Sequence, residues 1–585
     1  MSGRLYFAFP AVVAVIALPL VLPFGWVSTL GHVGLNAIVC TGLVLLAGVA
    51  GITSFGQAAF AGLGAYTTAY LTARMGFSPF VTLPVSLLVA GAVGWVIGAI
   101  TIRLSGHYLV LATLAWGLSL FYLFGSLPFL GGFNGISEIP SPSVLNADLA
   151  DQRVFTMVVW ACLLVVLLGC ANMLRGRTGR AMRSLRFAEM AESMGVDTNQ
   201  LKLRLFVIAA ILASLAGWLQ AHFLTVVAPS SFSVTISLDY LFMTVLGGAA
   251  SLVGAVAGPF VFEFIRSGLR EGIPQLLGVS GNFELLIFGI IMIVVLHRAR
   301  SGVSGLVMGW LPRSVPKADP SAQPLDRRRG AASGEDFIKI ENVTKMFGGF
   351  CAVKSFDATI RTGEILGLIG PNGAGKSTLF NLITGVAHPT SGRIEIRGEA
   401  VQGKPARIIA AKGVSRTFQH VHLQPDLTVL ENVALGAYRR GRAGIVSSVF
   451  GLDRHEEARM MAEAQRQLDR VGLGKLSGEK ASVLALGQQR LVEIARALAS
   501  DPIALLLDEP AAGLRHQERE ALGALLRQLK AEGMGILIVE HDMNFIMNLT
   551  DRLIVLEFGS KIAEGTPDAV RADARVIEAY LGPAE

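Results

Sequence analysis

Two runs in the second half of this 585-residue sequence carry residues that could act on a nucleotide. The first is G-P-N-G-A-G-K-S-T, comprising Gly370, Pro371, Asn372, Gly373, Ala374, Gly375, Lys376, Ser377 and Thr378. It follows the apolar run Glu364–Gly370 and leads into a helical stretch from Leu379. Strand, glycine-rich loop and helix form the context of a phosphate-binding loop. Glycines let successive backbone N–H groups converge on the phosphates, and the helix N-terminus adds the positive end of its dipole. Lys376 is expected to reach the β- and γ-phosphates, and the Ser377 hydroxyl to ligate Mg2+. The second run, I-A-L-L-L-D-E-P (Ile503–Pro510), reads as a buried strand ending in two carboxylates. Asp508 is placed to hold Mg2+ through water, and Glu509 to polarise the attacking water as general base. Adjacent acids after a strand can also form a solvated turn, a reading that the phosphate-binding loop in the same domain disfavours. A third strand, Gly535–Val539, delivers Glu540, His541 and Asp542 to the edge where ligands bind in parallel α/β sheets.

These residues need an α/β domain to position them, and the composition says that such a domain is only half of the chain. Hydrophobic residues make up 52% and charged residues 16% of the whole. Charge is unevenly spread: 25 of the first 300 residues are charged, against 68 of the remaining 285. The second density is that of an ordinary soluble domain; the first is that of a membrane domain. The net charge of +7 lies mostly in the membrane half, +5 against +2. A nearly neutral soluble half excludes a basic nucleic-acid-binding surface. Cys40, Cys162, Cys170 and Cys351 form no C-x-x-C pair and read as small buried hydrophobes in a disulfide-free protein.

Apolar stretches of spanning length recur at 5–27, 30–50, 55–73, 80–102, 107–130, 154–174, 203–227 and 283–297. The first is kept as a span rather than a signal peptide, because no A-x-A-like site closes it. Residues 175–204 carry Arg175, Arg177, Arg180, Arg183, Arg186, Lys202 and Arg204, which places that loop in the cytoplasm. Alternation then puts 131–153 and 228–235 outside, while His297, Arg298 and Arg300 keep the end of the last span inside. A single crossing at 236–265 would break that parity. This segment, with Gly247, Gly248, Gly254 and Gly258, is therefore read as a re-entrant or short-helix pair, and as a pore-lining candidate. Gly62 and Gly64, and Gly91, Gly94 and Gly98, read as helix-packing positions. Asn36, Gln57, Asp239 and Glu284 are polar residues in or near spans, where such residues tend to be functional. Pro312, Pro316, Pro320 and Pro324, then Arg327–Arg329, mark a semi-extended linker whose basic end suits anionic lipid headgroups. The expected architecture is a multi-span α-helical membrane domain (1–300, about eight full spans plus the pair), a Pro/Arg-rich linker (301–336) and an α/β P-loop ATPase domain (337–585).

Further motifs join the first three. L-A-L-G-Q-Q-R (Leu484, Ala485, Leu486, Gly487, Gln488, Gln489, Arg490) heads a helical run between the phosphate-binding loop and Asp508. It resembles the signature of ATP-binding-cassette (ABC) ATPases. R-T-F-Q, ending at Gln419, resembles that family's Q-loop, V-E-H-D its switch histidine at His541, and Phe347 its adenine-stacking aromatic. The resemblance covers about residues 337–582. It implies a head-to-tail sandwich in which the P-loop of one ATPase and the signature of another close on one ATP. Gln419 would sense nucleotide and join Ser377 and Asp508 about Mg2+, and His541 would contact the γ-phosphate. Two departures bear on hydrolysis: Ala485 replaces the signature serine, and Arg515 stands where the family's D-loop commonly has an acid or amide.

A narrower similarity reaches both halves. F-G-G-x-x-A-V (Phe347–Val353), D-E-P-A-A-G-L (Asp508–Leu514) and E-G-T-P (Glu564–Pro567) are similar to the ATPase of branched-chain amino acid uptake systems. R-L-S-G-H-Y-L-V-L-A-T-L (Arg103–Leu114), G-G-F-N-G-I (Gly131–Ile136) and V-L-G-G-A-A-S-L-V-G (Val245–Gly254) are similar to that system's permease. Glu189, Ala191 and Gly195 reproduce the E-x-A-x-x-x-G spacing by which importer permeases dock their ATPases. The resemblance implies a fused subunit of an ATP-driven importer in a bacterial inner membrane, multi-pass, with its ATPase in the cytoplasm. Its implied partners are an external substrate-binding protein and either a second permease and ATPase or a second copy of the chain. Branched-chain amino acids are the implied solute, with urea, short amides or other small carboxylates as alternatives. An exporter would instead have about six long spans reaching into the cytosol, and a non-transporting regulatory half would hydrolyse no ATP.

Overall fold

The computed structural model describes residues 16–104, 106–144, 147–148, 150–277, 283–298, 302–308, 315–328 and 333–581. Backbone contacts divide the chain into two compact units, Met1–Met173 with Asn199–Arg313, and Leu174–Thr198 with Ser314–Glu585.

The first unit is helical: α1 (Phe24–Leu43, prolonged by a π-helical stretch to Val49), α2 (Gln57–Ala69, prolonged to Arg74), α3 (Pro79–Thr101), α4 (His107–Ser126) and α5 (Gln152–Arg175, whose end belongs to the second unit). Two short helices of the second unit follow, α6 (Arg177–Ser184) and α7 (Ala188–Ser193). Then come α8 (Thr198–Leu224), α9 (Val234–Gly247), α10 (Leu252–Leu277), α11 (Phe283–Arg298) and α12 (Gly302–Met308). The helix starting at Phe24 is almost wholly buried, whereas α3, α4 and α5 expose most of their apolar surface, including Leu88, Trp95, Tyr108, Leu111 and Val165. A face so apolar and so exposed is stable against lipid rather than water.

Six helices among the described residues are long and apolar enough to cross a membrane. Residues 5–27 fall largely outside the described set. The 55–73 stretch forms a helix, but Gln57, Thr67, Thr68 and Thr72 dilute its apolar content. The 283–297 stretch lies in a helix of which 16 residues, Phe283–Arg298, are described. The pair expected at 236–265 exists, broken at Gly248, but only its first member is short: α9 has 14 residues and α10 has 26. The second runs past Arg266, where the apolar pattern weakens. Gly247, Gly254 and Gly258 meet backbone atoms of the facing helix, so the two helices touch main chain to main chain.

In the second unit, β1 (Asp336–Phe347) and β2 (Phe350–Arg361) form an antiparallel hairpin, followed by β3 (Ile365–Ile369), α13 (Lys376–Ile383), β4 (Ser391–Ile396), α14 (Ala406–Ala411) and β5 (Val414–Arg416). A helical segment follows with α15 (Val429–Gly436), α16 (Ile445–Val449), α17 (Arg454–Arg470) and α18 (Leu486–Ala499). The chain returns through β6 (Ala504–Asp508), α19 (His516–Ala531), β7 (Gly535–Val539), β8 (Arg552–Glu557) and β9 (Ser560–Gly565). The main sheet has the order β9-β8-β3-β7-β6-β5, parallel except for the β8–β9 pair. Strands β3, β6 and β7 are buried at every residue, as helices and a second sheet on both faces demand of parallel strands. Leu366 and Leu368 face one apolar layer with Phe337, Phe380 and Ile383; Ile365 and Ile369 face another with Leu505, Leu526 and Leu529.

Residues 315–328, within the expected linker 301–336, turn at Asp319–Ala322 and then pack against the helical segment. Leu325 joins the apolar cluster of Val429, Leu430, Met460, Leu468 and Val492. Arg440 Nη2 donates to the Asp326 carbonyl at 2.9 Å, and Arg459 Nη2 to the Asp326 carboxylate at 3.0 Å. The Arg328 N–H donates to Asp501, at the turn before β6.

Candidate functional site: a phosphate-binding corner and a docked loop

Strand register assembles the corner. Leu368 of β3 pairs with Val539 of β7, and Val539 pairs with Asp508 of β6. The carboxyl ends of these adjacent strands thus bring Gly370, Asp508, Glu509 and His541 to one edge. Arg416 of β5 pairs with Leu506, so Gln419 arrives three residues beyond the same edge. This is the crevice in which open α/β sheets bind ligands.

The loop Gly370–Gly375 leads into α13, and Lys376 Nζ donates to the Gly370 and Pro371 carbonyls at 2.7 and 2.9 Å. Gly375 has φ +100° and packs beneath the Ala352 carbonyl of β2, a backbone and a gap that only glycine accepts. Burial lowers the pKa of Lys376, an effect opposed by Glu509 and Asp508. Ser377 and Thr378 lie in the first turn of α13, with Ser377 exposed.

Glu509 is the hub. Gln419 Nε2 donates to Glu509 Oε1 at 3.3 Å, and His541 Nε2 lies 2.9 Å from the same oxygen. Glu509 has φ +48°, unusual for a residue with a side chain, and its N–H donates to the Val539 carbonyl at 2.9 Å. Asp508 is 3% exposed. Burial raises its pKa; the Arg416 guanidinium pulls it back down, and Glu509 pushes it up.

Three residues without an expected role hold this corner. Arg416 Nη1 donates to Asn381 Oδ1 at 2.8 Å and Thr384 Oγ1 at 2.9 Å, tying β5 to the end of α13. Arg490 donates to the Phe418 and Gln419 carbonyls at 2.8 and 2.5 Å, tying α18 to the Gln419 segment. Glu540 Oε1 accepts from the Ala511 N–H at 2.6 Å, securing the turn after Glu509. Arg490 lies one turn into the helix behind the signature, which is the only sequence signal that singles it out.

The signature segment does not join the corner. Leu484 and Gly487 are buried, Ala485 and Leu486 are exposed, and Gly487 packs against Leu514 and Glu518 at the start of α19. Ala485 occupies the N-cap of α18, and its N–H donates to Gln488 Oε1 at 3.2 Å. Alanine offers no oxygen in return to the first-turn N–H groups. The Arg515 N–H donates to Glu518 Oε2 at 2.8 Å. Phe347 ends β1, half exposed, with Lys345 Nζ 4.9 Å from its ring centre.

A second feature of this unit is the seat of residues 174–198. Ala191 is buried, Glu189 is exposed in the first turn of α7, and Gly195 has φ +85° with the Arg439 side chain where a Cβ would stand. Met190 and Met194 pack with Phe418 and Leu435, and the Phe187 ring lies 5.0 Å from that of His422. His422 is itself anchored to α18: its N–H donates to Glu493 at 3.0 Å, and its carbonyl accepts from Arg496 at 2.6 Å. α6 adds polar contacts. Arg180, 1% exposed, binds both carboxylate oxygens of Glu457. Arg177 donates to the Tyr438 and Ala443 carbonyls at 2.7 and 2.5 Å and lies over the Tyr438 ring. Thr178 Oγ1 lies 3.0 Å from Ser448 Oγ.

Comparisons with known proteins agree on both halves. Residues 25–296 match the family described as branched-chain amino acid transport system / permease component. Residues 353–512 match the ABC transporter family, and 560–582 match the branched-chain amino acid ATP-binding cassette transporter family. Among curated relatives, the high-affinity branched-chain amino acid transport ATP-binding protein BraF of Pseudomonas aeruginosa is 40% identical over 42% of this chain and 98% of its own length. LivG of Escherichia coli, with the same description, is 39% identical over 43% of this chain and 99% of its own length.

Proposed function

Because this chain belongs to the ABC transporters of the branched-chain amino acid family, uniting a permease component and an ATP-binding component, we propose that it imports branched-chain or related amino acids across a bacterial inner membrane at the expense of ATP. It is a membrane protein whose ATPase lies on the cytoplasmic side, and that ATPase binds nucleotide. The proposed divisions are permease 1–300, linker 301–336 and ATPase 337–585. The observation that carries the reading is the convergence of Gln419 and His541 on Glu509 beside the phosphate-binding loop.

In this reading, backbone N–H groups of Gly370–Gly375, with Lys376, Ser377 and Thr378, hold the phosphates, and Phe347 stacks on adenine. Ser377, Gln419 and Asp508 are oxygen donors of the kind that suit Mg2+, which when bound neutralises charge on the β- and γ-phosphates. Glu509 takes the proton of the attacking water, and its strained backbone holds the carboxylate at that place. His541 keeps Glu509 oriented and contacts the γ-phosphate. The signature Leu484–Gln488 completes the site of a second ATPase, its exposed Ala485 and Leu486 facing outward for that purpose. The complex therefore needs a second permease and ATPase, as different subunits or as a second copy, and an external binding protein that brings the solute. Residues Glu189, Ala191 and Gly195 belong to the loop that joins nucleotide closure to the permease.

The test is ATP-dependent uptake of radiolabelled L-leucine by the reconstituted complex with its binding protein. Competition by L-valine and L-isoleucine, but not by urea or acetamide, is expected. Competition by urea alone would move the chain to a different solute class.

A further inference from the structure

We infer that Val446, Phe450 and Leu452 of the helical segment insert into the cytoplasmic leaflet of the bilayer, with Arg175, Arg442 and Arg454 at its anionic headgroups. This goes beyond the import reading and holds whatever solute is carried.

The three apolar residues stand on α16 and the turn after it. Val446 is 71% exposed, Phe450 71% and Leu452 77%. From 446 to 452 no other residue is exposed, so the outer surface of this stretch is wholly apolar. Val446 and Phe450, four residues apart, share a face. A single exposed apolar residue is ordinary, whereas three within seven residues mark a surface that is covered in the working molecule. The polar side of the stretch is turned the other way. Ser448 is buried, donates to Asp453 Oδ2 at 2.6 Å and lies 3.0 Å from Thr178 Oγ1 of α6.

Chain connectivity puts this surface beside a bilayer. The membrane-crossing helix α5 ends at Arg175. Gly176 follows directly and packs on Asp453, a Cβ there standing 2.9 Å from Asp453 Oδ2. Arg177 donates to the Ala443 carbonyl, and Thr178 reaches Ser448. Three residues of backbone span at most about 11 Å, so residues 443–453 are held close to the cytoplasmic end of a span. Charge selects lipid as the occupant. Arg175, Arg442 and Arg454 are exposed, while Asp453, the sole acid from 442 to 454, is buried against Ser448. An apolar tip flanked by cations is the pattern of segments that enter the headgroup and acyl boundary by about 5–10 Å. Arginine stems lie along such a tip while their guanidinium groups meet lipid phosphates. The contact ties the seat of residues 174–198 to the membrane surface.

Photo-crosslinking of the full-length chain in nanodiscs of phosphatidylethanolamine and phosphatidylglycerol tests the contact. Benzoylphenylalanine replaces Phe450, Leu452 or, as a control, Phe350, which is 65% exposed at the start of β2. After irradiation and digestion, peptides carrying position 450 or 452 are expected to gain the mass of a phospholipid, at a yield at least about tenfold above that at position 350. Both positions are exposed, so neither substitution removes a packed side chain; if one variant fails to fold, the other decides. Adducts to protein alone, within the chain or to a second copy, would assign the patch to a protein partner and overturn the proposal. A phospholipid yield at 450 or 452 no higher than at 350 overturns it as well.

Discussion

The phosphate-binding corner and the seat of residues 174–198 lie on one ATPase unit, yet they are built from different physics. The corner is assembled by parallel strand register, which delivers residues distant in sequence to one edge with little freedom. The seat is assembled by side chains, with methionines in an apolar cluster and arginines buried against carboxylate and carbonyl groups. The two meet at residues 417–422, where Arg490 holds the backbone of Phe418 and Gln419 and where Phe187 packs on His422. Any shift of Gln419 with nucleotide is therefore felt within a few residues by the docked loop. The corner is fixed by backbone geometry, whereas the seat depends on replaceable side-chain contacts.

The largest effect is expected in the corner. Glu509→Gln keeps the shape and the contacts of the site but removes the proton acceptor, so ATP hydrolysis should fall by about 10²–10⁴-fold with ATP binding retained. Turnover at the unaltered rate would remove Glu509 from the role of base. Next comes the strap 315–328. Leu325→Ala empties a place in the helical segment's core and should cost about 2–4 kcal/mol locally. Limited trypsin digestion at Arg327 and Arg328 of the full-length chain should accelerate; unchanged protection would mean that Leu325 does not anchor the strap.

A third prediction concerns pH. Because burial raises the pKa of Asp508, hydrolysis should begin to decline on acidification at a higher pH than an ordinary aspartate would give. Arg416 opposes that rise, so Arg416→Gln should move the acid limb further upward. A limb that stayed in place would show that Asp508 does not set it. The smallest effect is Ala485→Ser. A hydroxyl at this N-cap should stabilise α18 by about 0.5–2 kcal/mol and, in the proposed pairing with a second ATPase, raise ATP turnover. Unchanged turnover would mean that the pairing tolerates alanine there.

What could be read from the sequence follows the same division. Gly370–Thr378, Asp508–Glu509 and His541 each follow a short apolar strand, so motif and position are local and the α/β fold comes with them. Arg180 and Glu457 are 277 residues apart in sequence and belong to no motif, so their pairing was hidden. E-x-A-x-x-x-G pointed to the loop, but only Gly195, with φ +85° against Arg439, explains why its last position is glycine. Prolines and the lack of a period mark 301–336 as a linker, and Leu325 alone gives no sign of the packing it makes. The apolar stretch 55–73 hides a polar interior: Gln57, Thr68 and Thr72 are buried within its helix.

In the proposed mechanism the seat of 174–198 carries the energy of hydrolysis to the permease. Its most direct test is Arg180→Met, with ATP hydrolysis and L-leucine uptake measured on the same proteoliposomes. Removing one partner of a buried ion pair typically costs about 3–5 kcal/mol. Hydrolysis is predicted to stay within about twofold while uptake per ATP falls at least about tenfold, with partial recovery on exchanging the charges in Arg180→Glu with Glu457→Arg. Uptake per ATP equal to that of the unaltered chain would contradict the account.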